Sequence, residues 1–511
     1  MNSKVGNVAT LAEVLDVVII GAGLSGIGAA VHLKKNCPNK SFAILEARTA
    51  SGGTWDLFRY PGIRSDSDMY TFGYKFKPWT NPKSIADGKD ICDYIRETAT
   101  EYNIDDKIRY QHKFISADWS SRQALWSLVV EEGATGNMVT IQAKFIISGS
   151  GYYRYEKGLT PDFSDSDTFS GEIIHPQLWP EDFDYSGKEV VVIGSGATAV
   201  TLVPAMAKIA NHVTMLQRSP TYVASVPEKD PMIDSLRKVF SEKIVYSITR
   251  TRNVLLGMAF FQVSQRYPEK VRSFLSKQIK KELGDDVDMT HFTPKYNPWD
   301  QRLCAVPDGD MFKAIREGHA SIVTDHIERF TKKGILLKSG KELPADIIVT
   351  ATGLDVQILG GAQLSLDGIP IDVSKKHYYK GAMLEDLPNF AMIFGYTNSS
   401  WTLKADMISE YVCKVINYMD KEGYAQATPR VNKKIEHSLP FLNLSSSYVQ
   451  RVMDQVPRQG DRKPWLLYQN YFQDYRAFKF KRINDNTLVF SNPVSHGYGY
   501  DTEKKNLAIA Q

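Results

Sequence analysis

The earliest residues in the chain whose types could do chemistry are the glycines of a strand-to-helix turn. In DVVIIGAGLSGIGAAVHLKK, an apolar, β-branched strand runs into Gly21, Gly23 and Gly26, and a helical pattern follows. Glycines at this spacing allow a tight turn, let backbone N–H groups approach a pyrophosphate, and let the helix pack against the strand. The next strand, SFAILE, ends at Glu46, whose carboxylate can accept hydrogen bonds from ribose hydroxyls. This complete unit predicts a dinucleotide site, the alternative being a glycine turn in an ordinary α/β sheet.

A second glycine turn repeats the pattern but ends its second strand differently. KEVVVIGSGATAVTLVPAMA carries Gly194, Gly196 and, in place of a third glycine, Ala199. Its next strand, HVTMLQRSP, offers Gln217 and Arg218 where the first unit offers a carboxylate. A guanidinium can pair with a 2′-phosphate, which a carboxylate would repel. We therefore expect this site to prefer NADPH to NADH, the alternative being that Arg218 is a surface charge at a strand end.

Two dinucleotide sites in one chain suggest that one cofactor passes electrons to the other. The natural pair is a tightly bound flavin and a diffusing nicotinamide. The acidic strand end of the first unit suits FAD, and the second unit suits NADPH. The similar segments KFIISGSG and DIIVTATG close the two units and mark crossings between the domains.

The elements that position these turns predict an α/β fold with two dinucleotide-binding, Rossmann-like domains and an inserted helical subdomain. Residues 231–284 are rich in Lys, Arg, Leu and Phe and lack strand alternation, which favours helices inserted in the NADPH domain. The predicted division is 1–150 for the first part of the FAD domain, 151–230 for the first part of the NADPH domain, 231–290 for the helical insertion, 291–385 for the second part of the NADPH domain, and 386–511 for the C-terminal part of the FAD domain.

Composition excludes several other classes of protein. The chain has 511 residues, of which 43% are hydrophobic, and this is ample for more than one buried core. Its formal net charge of +4 is small and its basic residues are dispersed, so nucleic acid is not an expected partner. The four cysteines lie far apart without CxxC spacing, which argues against a disulfide framework, a zinc site or a dithiol redox centre and fits a reducing cytoplasm.

No segment predicts export or a membrane span. The first 15 residues carry one Lys and lack the apolar core of a secretory signal. The uncharged run 253–265, in the predicted helical insertion, is shorter than the ~18 apolar residues that a spanning helix needs. The basic helices of residues 231–284 leave two interpretations open: a solvated charged face, which is favoured, and peripheral association with the inner face of an anionic membrane.

Between the two glycine turns lies FSGEIIHPQLWP, which places Phe169, Gly171, His175, Trp179 and Pro180 at fixed intervals. A single histidine near aromatics is more often a hydrogen-bonded structural side chain than a catalyst. The segment resembles the fingerprint FxGxxxHxxxW[P/D] of Baeyer–Villiger monooxygenases, which also lies between two dinucleotide motifs. Related flavin-containing monooxygenases that oxidise nitrogen and sulfur carry Tyr or Phe at the tryptophan position. The resemblance implies that this segment links the FAD and NADPH domains and that His175 has a structural or conformational role.

The resemblance extends along nearly the whole chain. GGTWDLFRYPGIRSD, residues 52–66, is similar to the family's GGxWxxxRYPGxxxD. The chain is most similar to the ethionamide-activating monooxygenases of mycobacteria through RYPGIRSDSDMYTFG, VVVIGSGATAVTLVPA, YNPWDQRLC and GYTNSSWTLKAD. Many family members place a Lys before the active-site Arg to help hold the 2′-phosphate, whereas here Gln301 precedes Arg302. This departure leaves Arg218 as the main determinant of the NADPH preference.

The resemblance implies a monooxygenase that uses FAD and consumes NADPH. It would insert one oxygen atom of O2 into a ketone through a flavin C4a-peroxide, giving an ester or lactone, and would also oxidise sulfides or thioamides. The family's catalytic cation corresponds to Arg302, and Asp66 is the carboxylate implied to pair with it and set its orientation. By residue type alone, Arg302 would be a surface ion-pair residue and Asp66 a loop N-cap.

The resemblance also implies cofactor contacts at individual positions. For FAD these are Gly21, Gly23, Ser25, Gly26, Glu46, Thr54, Trp55, Asp66 and Phe114. For NADPH they are Arg64, Ser65, Asp66, Gly194, Ser195, Gly196, Ala197, Thr198, Ala199, Gln217 and Arg218. Trp401 and Trp465 either shape the substrate pocket or are packed aromatics.

Three other functions compete with this interpretation. The first is a heteroatom oxygenase that makes S-oxides or N-oxides and oxidises ketones only incidentally. The second is a flavin-binding redox or oxygen sensor, which a complete NADPH site and the Arg302 motif disfavour. The third is a disulfide reductase, which would need a cysteine pair that the sequence lacks.

Overall fold

The computed structural model describes residues 13–285, 287–301, 303–432, 435–441 and 450–493, so that Arg302 lies outside the described part of the chain. The N-terminal unit contains β1 (Val14–Ile20), α1 (Leu24–Asn36), β2 (Phe42–Leu45), α2 (Thr54–Leu57), α3 (Met69–Phe72), α4 (Gly88–Glu101), β3 (Ile108–Arg109), β4 (His112–Ser120), β5 (Leu125–Glu132) and β6 (Asn137–Ser148).

The middle of the chain contains the second glycine unit and the inserted helices. Its elements are β7 (Glu172–Ile174), β8 (Glu189–Ile193), α5 (Ala197–Met206), β9 (His212–Gln217), β10 (Val223–Val226), α6 (Pro231–Arg237), α7 (Glu242–Arg266), α8 (Pro268–Leu283), β11 (Cys304–Pro307), α9 (Asp310–Arg316), β12 (Ala320–Thr324), β13 (Ile327–Thr331), β14 (Gly334–Leu337), β15 (Glu342–Pro344) and β16 (Ile347–Thr350).

The C-terminal part returns to the first unit. Its elements are β17 (Gln363–Leu366), β18 (Ile369–Pro370), β19 (Tyr378–Tyr379), β20 (Met383–Leu384), β21 (Phe390–Met392), α10 (Trp401–Glu422), β22 (Gln426–Pro429), β23 (Leu439–Pro440), β24 (Arg458–Gln459), α11 (Tyr471–Lys479) and β25 (Leu488–Ser491). Single 3₁₀ turns lie at Asp105–Lys107, Ser166–Thr168, Pro176–Leu178, Met289–Phe292, Ile358–Gly361 and Val373–Lys375.

Two parallel cores carry the two glycine turns. The first sheet has the order β18-β17-β4-β5-β6-β1-β2-β3, with β21 beside β6 and β20 and β19 beyond it. In it β1 runs parallel to β2 and β6, and α1 and α10 pack together over one face. The second sheet has the order β12-β9-β8-β16-β7 and is parallel throughout. Each glycine turn therefore follows a buried central strand, which fixes its position.

Strand pairing corrects one predicted boundary. The sequence assigned residues up to 385 to the second unit, yet β17 pairs with β4 and β20 pairs with β21 of the first sheet. By strand pairing, the chain crosses back between β16 and β17. Strands of two to four residues carry too little periodicity to reveal which sheet they join.

The inserted helices contact both units. Arg250 of α7 is buried, and its Nη1 donates to the carbonyl oxygens of Tyr70 and Gly73 in the first unit, at 2.8 Å each. On α8, the carboxamide of Gln278 bonds the backbone of Ser225 in the second unit. The insertion, expected within the NADPH domain, thus bridges the two sheets.

Candidate functional site

A cleft of about 690 Å³ lies between the two units. Its wall combines the first glycine turn, the segment after β2, the RYPGIRSD segment and the start of α5. The predicted site residues on this wall are Gly21, Gly23, Ser25, Glu46, Thr54, Trp55, Arg64, Ser65, Asp66, Phe114 and Ala197. The structure therefore brings together most of the residues expected to contact FAD, although they come from five separate stretches of sequence.

The first glycine turn has no room for side chains. Gly21 has a φ of +91°, in the region that favours glycine, and a Cβ there would lie 2.9 Å from the carbonyl oxygen of Gly149. A Cβ on Gly26 would lie 1.7 Å from the carbonyl oxygen of Gly21, so that α1 can approach β1 only if this residue is glycine. Gly26 itself is behind the wall and acts through packing. The turn thus leaves backbone N–H groups at the start of α1 open to the cleft.

Glu46 directly follows β2, at the end of the β1–β2 pair. The residue is 5% exposed, and its carboxylate accepts from the backbone N–H of Ala22 at 2.7 Å and of Arg48 at 2.9 Å. Burial raises the pKa of Glu46, and these two hydrogen bonds oppose that rise. The carboxylate is therefore held rigidly at the cleft, in an orientation suited to receiving hydroxyl groups.

The second glycine turn is more open. Gly194 has a φ of +141°, and a Cβ there would lie 2.3 Å from the carbonyl oxygen of Ala351. A Cβ on Gly196 would meet nothing within 4 Å, so the N-terminus of α5 faces free space. Within the described chain, the second-site residues that are not on the wall of the cleft are Gly194, Ser195, Gly196, Thr198, Ala199, Gln217 and Arg218. Of these, Ala199 and Gln217 are buried, and the others are at least partly exposed beside the cleft.

Gln217 and Arg218 differ in their surroundings. Gln217 is buried, and its Nε2 donates to the carbonyl oxygen of His291 at 2.7 Å and to Thr324 Oγ1 at 2.9 Å. Arg218 is exposed, and its guanidinium makes no ion pair with any residue that the structure describes. Of the two, only Arg218 has a side chain available to a phosphate.

The RYPGIRSD segment contributes charged groups to the cleft. Arg64 is bound to Asp310 at the start of α9 through both guanidinium nitrogens, so its charge is compensated within the protein. The backbone N–H of Ser65 donates to Ala86 O at 3.0 Å. Asp66 is exposed on the wall and accepts from Ser67 Oγ at 3.3 Å. The expected partner Arg302 lies outside the described residues.

The fingerprint segment contacts both connections between the domains, the one after β6 and the one after β16. Nδ1 of His175 accepts from the N–H of Gln177 at 3.1 Å, and Nε2 lies 3.2 Å from the carbonyl oxygen of Gly353, to which it donates when the ring is neutral. A Cβ on Gly158 would lie 1.9 Å from the His175 ring, so the ring lies flat against the first crossing. Burial lowers the pKa of His175, which favours the neutral ring that the contact with the Gln177 N–H requires.

The other fingerprint residues pack. Phe169 is buried and meets the Phe330 ring edge-on at 6.4 Å. A Cβ on Gly171 would lie 2.1 Å from the carbonyl oxygen of Asp346, which explains the glycine. The rings of Trp179 and Phe183 pack edge to face at 5.8 Å, and Pro180 is exposed beside them. None of these side chains reaches the wall of the cleft.

Sequence reasoning missed the tyrosines that follow β6. Tyr153 and Tyr155 line the cleft, and the hydroxyl of Tyr153 donates to Thr54 Oγ1. Burial raises the pKa of Tyr155 to about 12, so its hydroxyl stays protonated near neutral pH. Nε2 of Gln177 donates to the carbonyl oxygens of Arg154 and Tyr155 at 2.8 and 3.0 Å, which ties this segment to the fingerprint. The tyrosines of YYRYEKG, which directly follows KFIISGSG, are the sequence signal that could have indicated them.

The two tryptophans for which the sequence left a pocket role open, Trp401 and Trp465, differ in their position relative to the cleft. Trp401 is on the wall of the cleft, and its Nε1 donates to Ser25 Oγ at 2.8 Å. Trp465 is 2% exposed and packs against Tyr379 in the core, away from that wall. Trp401 therefore shapes the cleft, and Trp465 is a packed aromatic.

Fold and site together define a class of protein, a flavoprotein oxidoreductase with one site for each of two dinucleotides. A family profile described as "Pyridine nucleotide-disulphide oxidoreductase" matches residues 18–254. All four cysteines of this chain are free and buried. No helix in the described ranges is sufficiently long and apolar to cross a bilayer.

Curated relatives place the chain more narrowly. It is 51% identical over 484 residues to the FAD-containing monooxygenase EthA of Mycobacterium tuberculosis, covering 94% of this chain and 98% of that protein. It is 51% identical over 478 residues to the probable FAD-binding monooxygenase AlmA of Acinetobacter baylyi, covering 93% and 96%. The chain belongs to the Baeyer–Villiger, or class B, family of FAD-containing monooxygenases.

Solved structures agree on the fold. A steroid monooxygenase bound to NADP superposes with a TM-score of 0.69 at 23% identity, over 81% of this chain and 87% of that one. Cyclohexanone monooxygenase bound to ε-caprolactone superposes with a TM-score of 0.69 at 21% identity, over 82% and 90%.

Proposed function

We propose that this enzyme consumes NADPH to insert one oxygen atom of O2 into ketones, giving esters or lactones, and that it also oxidises sulfides or thioamides. The observation that carries the proposal is the cleft in which the first glycine turn, Glu46 and the Asp66 segment meet the N-terminus of α5. The NADP and lactone named for the two solved relatives agree with it.

The residues of the cleft fit FAD. The turn at Gly21 and Gly23 presents backbone N–H groups to a pyrophosphate, and Glu46 presents a fixed carboxylate to a ribose. Phe114, Trp55 and Asp66 also line the cleft, where the backbone of Phe114 would meet the adenine, Trp55 would contact FAD and Asp66 would lie near the flavin. When bound, FAD would accept a hydride from NADPH and then activate O2 for transfer of one oxygen atom.

NADPH would approach from the second turn. The free N-terminus of α5 is suited to its pyrophosphate, and the exposed Arg218 to its 2′-phosphate. Gln217 would support this site from beneath, because its carboxamide already bonds His291 and Thr324. Arg64 would act in the same indirect way, by fixing the loop through Asp310.

The oxygen-transfer step needs a fixed positive charge and little water. A guanidinium at Arg302 would stay protonated throughout and would stabilise negative charge on the reacting oxygen. The motif NPWDQRLC supports this role. The side chains of Tyr153, Tyr155 and Trp401 would exclude water from the cleft and limit loss of hydrogen peroxide.

The experiment is Arg302→Ala. Loss of one preorganised charged donor typically lowers a rate by ~10² to 10³-fold, so ester and lactone formation should fall below detection. The variant should keep its FAD, because the first turn and Glu46 are untouched, and NADPH still oxidised should appear as hydrogen peroxide. Arg122→Ala, at an exposed turn, is the matched control. A variant that retains a tenth of the parent's ketone oxygenation would exclude Arg302 as the cation.

The substrate preference needs a separate comparison. The rival function is a heteroatom oxygenase, and the cleft does not discriminate between the two. Equal amounts of a ketone and a sulfide supplied together with limiting NADPH should give mainly ester or lactone. Sulfoxide as the dominant product would favour the rival function and leave the FAD and NADPH sites intact.

A further inference from the structure

The inserted helices expose an unusual share of the apolar surface. Among the described residues, twenty large apolar side chains are exposed, and ten of them lie in residues 231–284, a tenth of the chain. Singly scattered apolar side chains on a surface need no explanation, but a concentration of this kind marks an interaction surface.

On α7 these side chains follow one face. Ile244, Ile248 and Leu255 recur at helical spacing and are 47%, 41% and 47% exposed. The opposite face carries Tyr246 and Arg250, which are buried against the first unit. The apolar stripe is therefore the outward face of a helix whose inward face is already used.

On α8 the outward face is mixed. Phe274 is 59% exposed, and Lys270, Lys277 and Lys281 lie on the same helical face at spacings of three and four. None of these lysines forms an ion pair with a residue that the structure describes. Lys270 instead lies over the Tyr267 ring at 4.9 Å.

The charge of the insertion is opposite to that of the rest of the chain. Residues 231–284 contain eleven Lys and Arg against four Asp and Glu, a net charge of +7, so the remaining 457 residues carry −3 of the chain's +4. Apolar side chains flanked by lysines on helices match the interface of an anionic bilayer. The same charge would make two copies of this face repel each other.

We propose that the outer faces of α7 and α8 dock on an anionic lipid surface. Ile244, Ile248, Leu255 and Phe274 enter the headgroup region, and the lysines of α8 contact lipid phosphates. The helices lie on the membrane without crossing it. The inner face of α7 contacts the end of α3, because Arg250 donates to the carbonyl oxygen of Gly73. Phe72 of α3 lines the cleft, so the docked helix is one layer away from the cleft.

The test is co-sedimentation of the FAD-loaded protein with vesicles of phosphatidylcholine alone or with roughly a third phosphatidylglycerol. Binding is expected to the anionic vesicles, and it should weaken as salt rises. Ile244→Gln/Ile248→Gln/Leu255→Gln and Lys270→Glu/Lys277→Glu/Lys281→Glu should each reduce binding about tenfold or more. The control Lys332→Glu/Lys333→Glu/Lys338→Glu, on the exposed β13–β14 hairpin, should bind as the parent does.

Three results would overturn the proposal: no binding to anionic vesicles, equal loss in the hairpin control, or unchanged binding in both helix variants. Light scattering without vesicles measures the oligomeric state and so tests whether a second copy of this chain covers the same face. If the Ile244→Gln/Ile248→Gln/Leu255→Gln variant breaks an oligomer while vesicle binding is unaffected, the face is an interface between copies of this chain. Every substituted side chain is exposed, so loss of FAD is not expected and flavin absorbance verifies folding.

Discussion

Arg218 directly follows β9 and has an exposed guanidinium, whereas Gln217, the last residue of β9, is buried and its carboxamide bonds His291 and Thr324. Successive side chains of a strand point to opposite faces, so only one of the two can meet a ligand at the second glycine turn. The discrimination between NADPH and NADH should therefore depend on Arg218.

Arg218→Glu should raise the KM for NADPH by ~30-fold or more and change the KM for NADH much less. The substitution removes a charge-assisted contact with the 2′-phosphate and adds repulsion. Steady-state kinetics with both nucleotides provide the measurement. Lys208→Glu, at an exposed turn just after α5, controls for a general change in the electrostatic field. An equal effect on both nucleotides would show that Arg218 does not read the phosphate.

For individual residues, the sequence motifs predicted where a side chain lies better than they predicted what it binds. The glycines, Glu46 and Asp66 all reached the predicted turns or the cleft wall, because a glycine turn after an apolar strand dictates its own geometry. The bond between Arg64 and Asp310 joins residues far apart in sequence, and no local pattern could show that this charge is already compensated.

The fingerprint segment, residues 169–180, connects the two places where the chain passes between the domains. His175 and Gln177 bond the two crossings between the domains, at Gly353 on one side and at Arg154 and Tyr155 on the other. Since Tyr155 lines the cleft, the same bonds that hold the crossings also set the position of the cleft wall. His175 can therefore influence the cleft although its own side chain bonds only backbone groups and does not reach the cleft wall.

The pKa of His175 is lowered by burial, so the unfolded chain takes up the proton first as pH falls. Stability from the neutral ring is present above the ordinary pKa of 6.5 and is lost below it. His175→Phe should lower the free energy of unfolding by ~1 to 3 kcal/mol above that pH, and the difference from the parent should shrink below it. Urea unfolding of both proteins at pH values about one unit either side of 6.5 measures this. A difference that grows on acidification would contradict the neutral-ring assignment.

The whole molecule is held together by the insertion as well as by the crossings. Nη1 of Arg250 donates to Tyr70 O and Gly73 O at 2.8 Å, and its Nη2 lies 3.6 Å from Asp406 Oδ2. The other carboxylate oxygen of Asp406, Oδ1, lies 3.1 Å from Nε2 of His32. The sequence predicted helices here and their place in the chain, yet a buried arginine and an exposed one look alike in sequence. The side on which the helices pack could be known only from the folded chain.

Arg250→Met should destabilise the protein by ~3 to 5 kcal/mol, because it removes the guanidinium that faces the buried Asp406 carboxylate and the donor to the carbonyl oxygens of Tyr70 and Gly73. Thermal unfolding followed by flavin fluorescence measures the loss. Arg122→Met, an exposed change of the same kind, should stay within ~0.5 kcal/mol of the parent. A tolerated Arg250→Met would show that α7 does not depend on this anchor.

Oxygen transfer is measured by giving the purified yellow protein NADPH, a cyclic ketone and isotopically heavy O2, and by determining the mass of the product. A Baeyer–Villiger monooxygenase gives a lactone that contains one heavy oxygen atom beside the unlabelled oxygen of the ketone, in proportion to the NADPH oxidised. If NADPH is oxidised but the only oxygen-derived product is hydrogen peroxide, or if the added oxygen is unlabelled and so derives from water, the proposed function is wrong.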